Sequence, residues 1–209
     1  MQKFTQRING TLLEKIVSSF ITLTNLQQIF VGIDSSGFKV THASQYYTER
    51  TRVKRRKYIK LSLGAADVLK QIICAVKIRR APIRHDTIDF HSLITKISAI
   101  LPLSVVTADK GYDSEDNHVL IREQLHAFSI IPARYENVPI WKTHGRYRKQ
   151  MKYGYSKLLY NQRNKDETII SVIKRLFGEY ITSKSVKTQN RELCFRCIAY
   201  NMHRLTNLM

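Results

Sequence analysis

Two short, largely apolar runs, each closed by an aspartate, most limit the folds open to this 209-residue chain. Ile29–Ile33 runs into Asp34-Ser35-Ser36-Gly37, and Leu103–Ala108 runs into Asp109-Lys110-Gly111-Tyr112-Asp113. Runs of this length with turn residues behind them read as strands buried on both faces. Such strands need a sheet with helices on its two sides, which points to an α/β fold.

The remaining pattern agrees. Residues 11–25 carry Leu12, Leu13, Ile16, Val17 and Phe20 at helical spacing. Phe38–Ala43 alternates and reads as the return arm of a hairpin after the Asp34–Gly37 turn. Tyr58–Leu63 and Gln71–Ile78 read as further strands. A helix follows His85-Asp86-Thr87, with Asp86 or Thr87 as its cap and Ile88, Leu93, Ile94, Ile97 and Ile100 on its apolar side. Ser114–Leu125 reads as helical, with Asp113 as its cap, and Phe128–Ile131 as a last short strand. Residues 134–165 are basic, Tyr-rich and irregular. Lys165–Phe177 is a helix closed by Gly178, and Arg191–Leu205 is the terminal helix. No internal repeat or linker divides the chain. The expected organisation is an N-terminal helical remnant over 1–28 and one domain over 29–209.

In open α/β sheets, ligands collect beyond the carboxyl ends of the strands. Asp34 and Asp109 on neighbouring strands would set two carboxylates side by side, an arrangement that calls for a cation between them. Oxygen donors of this kind suit Mg²⁺ or Mn²⁺. Strand-end aspartates also serve as plain turn residues. The helix near 165–177 adds a third carboxylate. At about 100° per residue, Tyr160, Arg163, Glu167 and Lys174 share a stripe about 60° wide if the helix reaches back to Tyr160. Ile169, Ile170, Val172, Ile173, Leu176 and Phe177 make the adjoining apolar side. Read alone, the stripe is equally a solvated face holding an Arg163–Glu167 pair.

Charge narrows the partner. Thirty-five Lys and Arg against sixteen Asp and Glu leave a net +19, which calls for a polyanion: nucleic acid, or an anionic membrane surface. Two basic tracts stand out. Seven of the eleven residues from Arg50 to Lys60 are Lys or Arg, Arg55 and Arg56 among them. The second, Arg134–Arg163, holds Arg146, Arg148 and Lys149 interleaved with Tyr135, Trp141, Tyr147, Tyr153, Tyr155 and Tyr160, a mixture suited to phosphate contact and base stacking. No apolar run approaches the ~20 residues of a membrane span, and no signal peptide is read at the N-terminus. Three cysteines, Cys74, Cys194 and Cys197, make no disulfide framework and fit a reducing cytoplasm. Cys194-x2-Cys197 is half a zinc pattern, but at core spacing on a helix.

Tyr160-x2-Arg163-x3-Glu167-x6-Lys174 resembles the signature around the catalytic glutamate of DDE transposases from prokaryotic insertion sequences, the family-four group and its family-five relatives. Asp34-Ser-Ser-Gly37 looks like that group's first-aspartate motif. Ala108-Asp-Lys-Gly-Tyr-Asp113 is similar to its second, and Lys174-Arg-Leu-Phe-Gly178 and Tyr200-Asn201 to its continuation. The resemblance spans about residues 29–205. It implies a ribonuclease H-like fold, with a five-stranded mixed sheet flanked by helices. It implies that Asp34, Asp109 and Glu167 hold two Mg²⁺ or Mn²⁺ ions for DNA cleavage at element ends and strand transfer into target DNA. It also implies that Tyr160, Arg163 and Lys174 grip the DNA backbone, with Lys110 and Tyr112 as helpers, in a homodimer assembled on DNA in the nucleoid.

Relatives carry a larger region ahead of the first aspartate, where this chain has 33 residues. A front end for recognising DNA ends is therefore expected to be missing. The rival reading is a non-catalytic DNA-binding fragment or regulator. A basic RNA-binding protein explains the charge, but neither the helix stripe nor the aspartates.

Overall fold

The apolar run at Ile29 does become a buried strand, but it does not stop at its aspartate. The computed structural model describes residues 10–24, 29–40, 58–66, 71–80 and 87–207. In it β1 extends unbroken over Ile29–Val40. Ser35, Ser36 and Gly37 lie opposite Ser62, Leu61 and Lys60 of the antiparallel strand β2 (Tyr58–Ala66). An extended partner satisfies their backbone groups, so the expected turn and its hairpin arm are replaced by one long strand. The far part of that arm, 41–43, lies outside the described residues.

β3 (Ile72–Arg80) continues the antiparallel meander. The chain then crosses through α2 (Thr87–Ser98) to β4 (Leu103–Ala108), which lies parallel to β1 on its other side. A 3₁₀ turn (Lys110–Tyr112), α3 (Glu115–Val119) and a π turn (Leu120–Gln124) lead to β5 (Phe128–Ile130), parallel to β4. The order is β3-β2-β1-β4-β5, with a sixth strand, β6 (Tyr180–Ile181), also pairing with β1. The sheet is thus mixed, as expected, but six-stranded. Two residues between a helix end and the next helix carry no strand periodicity to read.

Helices cover both faces, and two glycines mark where they come closest. A Cβ on Gly64 would stand 2.4 Å from Ile97 of α2, and one on Gly32 would stand 1.5 Å from Asp166 of α6 (Asn164–Phe177). Gly64 pairs with Ile33, the neighbour of Gly32, so the two helices lie on opposite faces. α1 (Gly10–Thr24) packs on β3, with Leu13 and Val17 in the common core. The terminal helix α7 (Val186–Thr206) starts five residues before its expected bound, at a Ser185–Thr188 capping box. Its buried Asn201 donates to the Ile73 carbonyl and accepts from the Ile73 N–H, at 2.8 and 2.9 Å. It thereby covers the edge strand β3.

The basic stretch 134–165 is more ordered than its composition suggests. It forms a 3₁₀ turn (Ile140–Lys142), α4 (Arg146–Tyr153) and α5 (Lys157–Asn161) before α6 begins. Both Glu115 oxygens accept backbone N–H groups of the first turn of α4, from Tyr147 and Arg148 at 3.0 and 3.1 Å. That carboxylate lies far away in sequence, which is why no local cap signal announced the helix.

Candidate active site

The parallel register of β1 and β4 puts the two aspartates together. Its last pair is Ile33 with Ala108, and the next residue on each strand is Asp34 and Asp109. β4 ends there. Asp109 turns its carboxylate back to accept the Gly111 N–H at 2.8 Å, capping the 3₁₀ turn. β1 runs on, and β6 joins it on the same side only at Lys39 and Val40. Between them, among the described residues, that side of β1 has no strand from Asp34 to Phe38. The site opens in this gap.

α6 brings the third carboxylate across it. Arg163 is the residue before the helix, and its guanidinium reaches two carboxylates at once. It lies 2.5 Å from Glu167 Oε1, one turn on, and 3.7 Å from Asp34 Oδ1. Tyr160 is on the separate short helix α5 rather than on α6. The two helices are joined by tight bonds, Arg163 N–H to the Tyr160 carbonyl at 3.0 Å and Asp166 N–H to the Arg163 carbonyl at 2.9 Å. Tyr160 therefore keeps its place beside Arg163, with ring and guanidinium 6.0 Å apart.

Burial pushes the Asp34 carboxyl up to about 6. The Ser35 backbone and Arg163 oppose the rise, and the charges of Asp109 and Glu167 add to it. Asp34 therefore feels both other acidic groups, as a shared site demands. The donor set is all oxygen, and a guanidinium already provides positive charge between two of its members. Oxygen donors are the chemistry that a hard divalent cation takes. Among the described residues, no three Asp, Glu, His or Cys side chains converge on one point closely enough to hold an ion.

Asp166 escaped the sequence reading. It is 5% exposed and raised well above the usual carboxylate range, by burial first and then by the Asp34 charge. Its carboxyl is seated on the bare backbone of Gly32, two residues before Asp34. The signal was available: at 100° per residue Asp166 falls within the apolar sector of the helix, where a carboxylate is out of place.

The remaining candidate residues divide. Lys174 lies over the Phe38 ring at 5.5 Å and lines an open groove with Glu167, Ser171, Arg175 and Glu179. Lys110 pairs with Glu136 at 2.5 Å on the surface. Arg146 is exposed and Lys149 half-buried on α4. Two expectations need correction. Tyr112 is fully buried against Phe90, ring centroids 5.6 Å apart, so it supports the Asp109 turn from below and cannot reach DNA. Arg148 gives its fork to the buried Asp113, at 2.8 and 2.7 Å, and is a structural tie. Asp113 accordingly does not cap α3, whose N-cap is Ser114. Arg55, Arg56 and the His85-Asp86 pair lie outside the described residues. Cys194 and Cys197 are buried on α7, where burial pushes both thiols up.

A sequence model of the transposase DDE domain family matches residues 26–202. No curated protein matches the chain. Among solved structures, the piggyBac transposase synaptic complex with hairpin DNA aligns at 10% identity and a TM-score of 0.52, over 85% of this chain and 48% of that one. A pre-cleavage Mos1 transpososome aligns at 10% identity over 91% and 60% of the two chains, with a TM-score of 0.31. The Drosophila P element transposase strand transfer complex aligns at 9% identity over 87% and 52%, with a TM-score of 0.24. The first places the fold among ribonuclease H-like domains, and the chain spans about half the length of the piggyBac chain it matches.

Proposed function

Because the chain belongs to the transposase DDE domain family, we propose that it is a transposase catalytic core, cutting DNA at element ends and joining those ends to target DNA. The observation carrying this reading is the register that makes Asp34 and Asp109 neighbours, with Glu167 linked to Asp34 through Arg163. In this reading Asp34, Asp109 and Glu167 are the ligands of two divalent ions, Mg²⁺ or Mn²⁺. When bound, such a pair stabilises the attacking and leaving oxygens of an in-line displacement at phosphorus.

The chain's own residues position and neutralise. Arg163, Lys174 and Tyr160 flank the acidic site and hold the backbone on either side of the scissile phosphate. Lys110, Arg146 and Lys149 extend the grip. The Asp109 cap on Gly111 holds that carboxylate where β4 ends. Hydrolysis frees a 3′-hydroxyl at the element end. That hydroxyl then attacks a target phosphodiester, forming one P–O bond as another breaks and passing its proton to solvent. We further propose that the protein acts as a homodimer on DNA, at the nucleoid. Among the described residues no helix is long and apolar enough to cross a membrane.

Nicking of supercoiled plasmid with Mg²⁺ or Mn²⁺ tests the assignment. The wild type should nick, and Asp34→Ala, Asp109→Ala and Glu167→Ala should each stop nicking while still binding DNA. Retained nicking in one variant removes that residue from the ligand set. A folded, DNA-binding wild type that never nicks would favour the non-catalytic fragment.

A further inference from the structure

Arg163 stands where two carboxylates meet. Its guanidinium contacts Glu167 at 2.5 Å and Asp34 at 3.7 Å, and its side chain is only 15% exposed. Burial works against its charge, but Tyr160, Asp34, Glu167 and Asp109 together outweigh that, so all three acidic residues act on this one cation. Lys174, the next basic residue of the stripe, is spent differently, over Phe38. A guanidinium between two carboxylates and a divalent ion on the same oxygens are alternatives, because like charges at such distances repel strongly. Arginine is also the side chain best shaped for a phosphate, which offers the same paired acceptor oxygens as a carboxylate.

We propose that Arg163 is the resting counter-cation of this site: without DNA it competes with divalent ions for Asp34 and Glu167, and a DNA phosphate draws it away, so that metal and DNA load together. The proposal rests on the reading of these carboxylates as metal ligands. It gives the site a built-in guard, since carboxylates neutralised by Arg163 are poor ligands until a substrate backbone arrives. Coupling of this kind is reciprocal: the factor by which DNA tightens metal is the factor by which metal tightens DNA.

The test is Mn²⁺ binding, read from the free-ion electron paramagnetic resonance signal, with no turnover required. Wild type, Arg163→Gln, Arg163→Lys and Lys174→Gln are titrated with Mn²⁺, alone and with a short DNA duplex. Circular dichroism melts verify that each is folded. Arg163→Gln should bind Mn²⁺ at least about tenfold tighter than wild type without DNA, roughly 1.4 kcal/mol. Arg163→Lys should fall between, and Lys174→Gln, which removes a charge of the same helix, should change little. DNA should tighten Mn²⁺ binding in the wild type and gain much less in Arg163→Gln. Equal affinity in wild type and Arg163→Gln, or the same gain in Lys174→Gln, overturns the counter-cation role and leaves the ligand assignment standing. No Mn²⁺ binding by any of them, with or without DNA, overturns the ligand assignment and this proposal with it.

Discussion

Replacing Asp34 by asparagine should make the metal-free protein more stable. The carboxyl is pushed from its ordinary 3.8 up to about 6, mainly because it is buried. At neutral pH it is nevertheless ionised, and the fold bears the cost of holding that charge. The gap between the two values corresponds to about 3 kcal/mol. That rise is already net of the attraction to Arg163 at 3.7 Å, so a gain of about 2–3 kcal/mol is expected at pH 7. For a chain of this length that raises the melting temperature by roughly 4–12 °C. The sign across pH follows from linkage. A carboxyl raised on folding binds its proton more tightly in the native state, so its contribution to stability is fullest below about pH 4 and is lost as pH rises through about 6. Asp166 drifts in the same direction, so the quantity to follow is the difference between variant and wild type. Thermal melts in chelator, from pH 4 to pH 8, should show that difference near zero at the acid end and full by pH 7. A variant no more stable than wild type at pH 7, or a difference that does not vary between pH 4 and pH 6, would refute the account of a strained acidic site.

Further outcomes follow from the same geometry. Mn²⁺ added at neutral pH should raise the melting temperature of the wild type and leave Asp34→Asn unmoved; an equal rise in both would place the ion elsewhere. Gly32→Ala should cost about 1–3 kcal/mol in urea melts, since its Cβ would stand 1.5 Å from the Asp166 carboxyl. Adding Asp166→Ala should recover most of that loss, and a double variant as unstable as the single one would show that the carboxyl is not seated on that glycine. Arg148→Ala should destabilise by about 3–5 kcal/mol, because it strands the buried Asp113. Arg146→Ala should leave stability unchanged and weaken DNA binding; the reverse ranking would mean the two arginines have been assigned the wrong tasks.

Much of this site could be read before any coordinates. Asp34, Asp109, Glu167 and Arg163 were all named from apolar runs and a helical stripe; in the fold the β1–β4 register makes the two aspartates neighbours, and Arg163 contacts Asp34 and Glu167. Tyr112 and Arg148 could not be sorted the same way. Each sits in a polar stretch that looks exposed, and what buries them comes from elsewhere: Phe90 on α2 for the tyrosine, Asp113 after β4 for the arginine. Asp166 was legible from its place on the apolar side of the helix, but the Gly32 backbone that seats its carboxyl was not, because that partner lies on a distant strand.

Local sequence, through apolar spacing, turn residues and caps, determined where β1 begins, where β4 ends at Asp109 and where α6 closes at Gly178, because those preferences act over a turn or a few residues. The order of strands, the Ile33–Ala108 register, the survival of β1 past Asp34 and the placing of Arg163 between two acids were decided only in the folded chain. Hydrogen-bond register and burial depend on partners dozens of residues away, and no single segment carries that information.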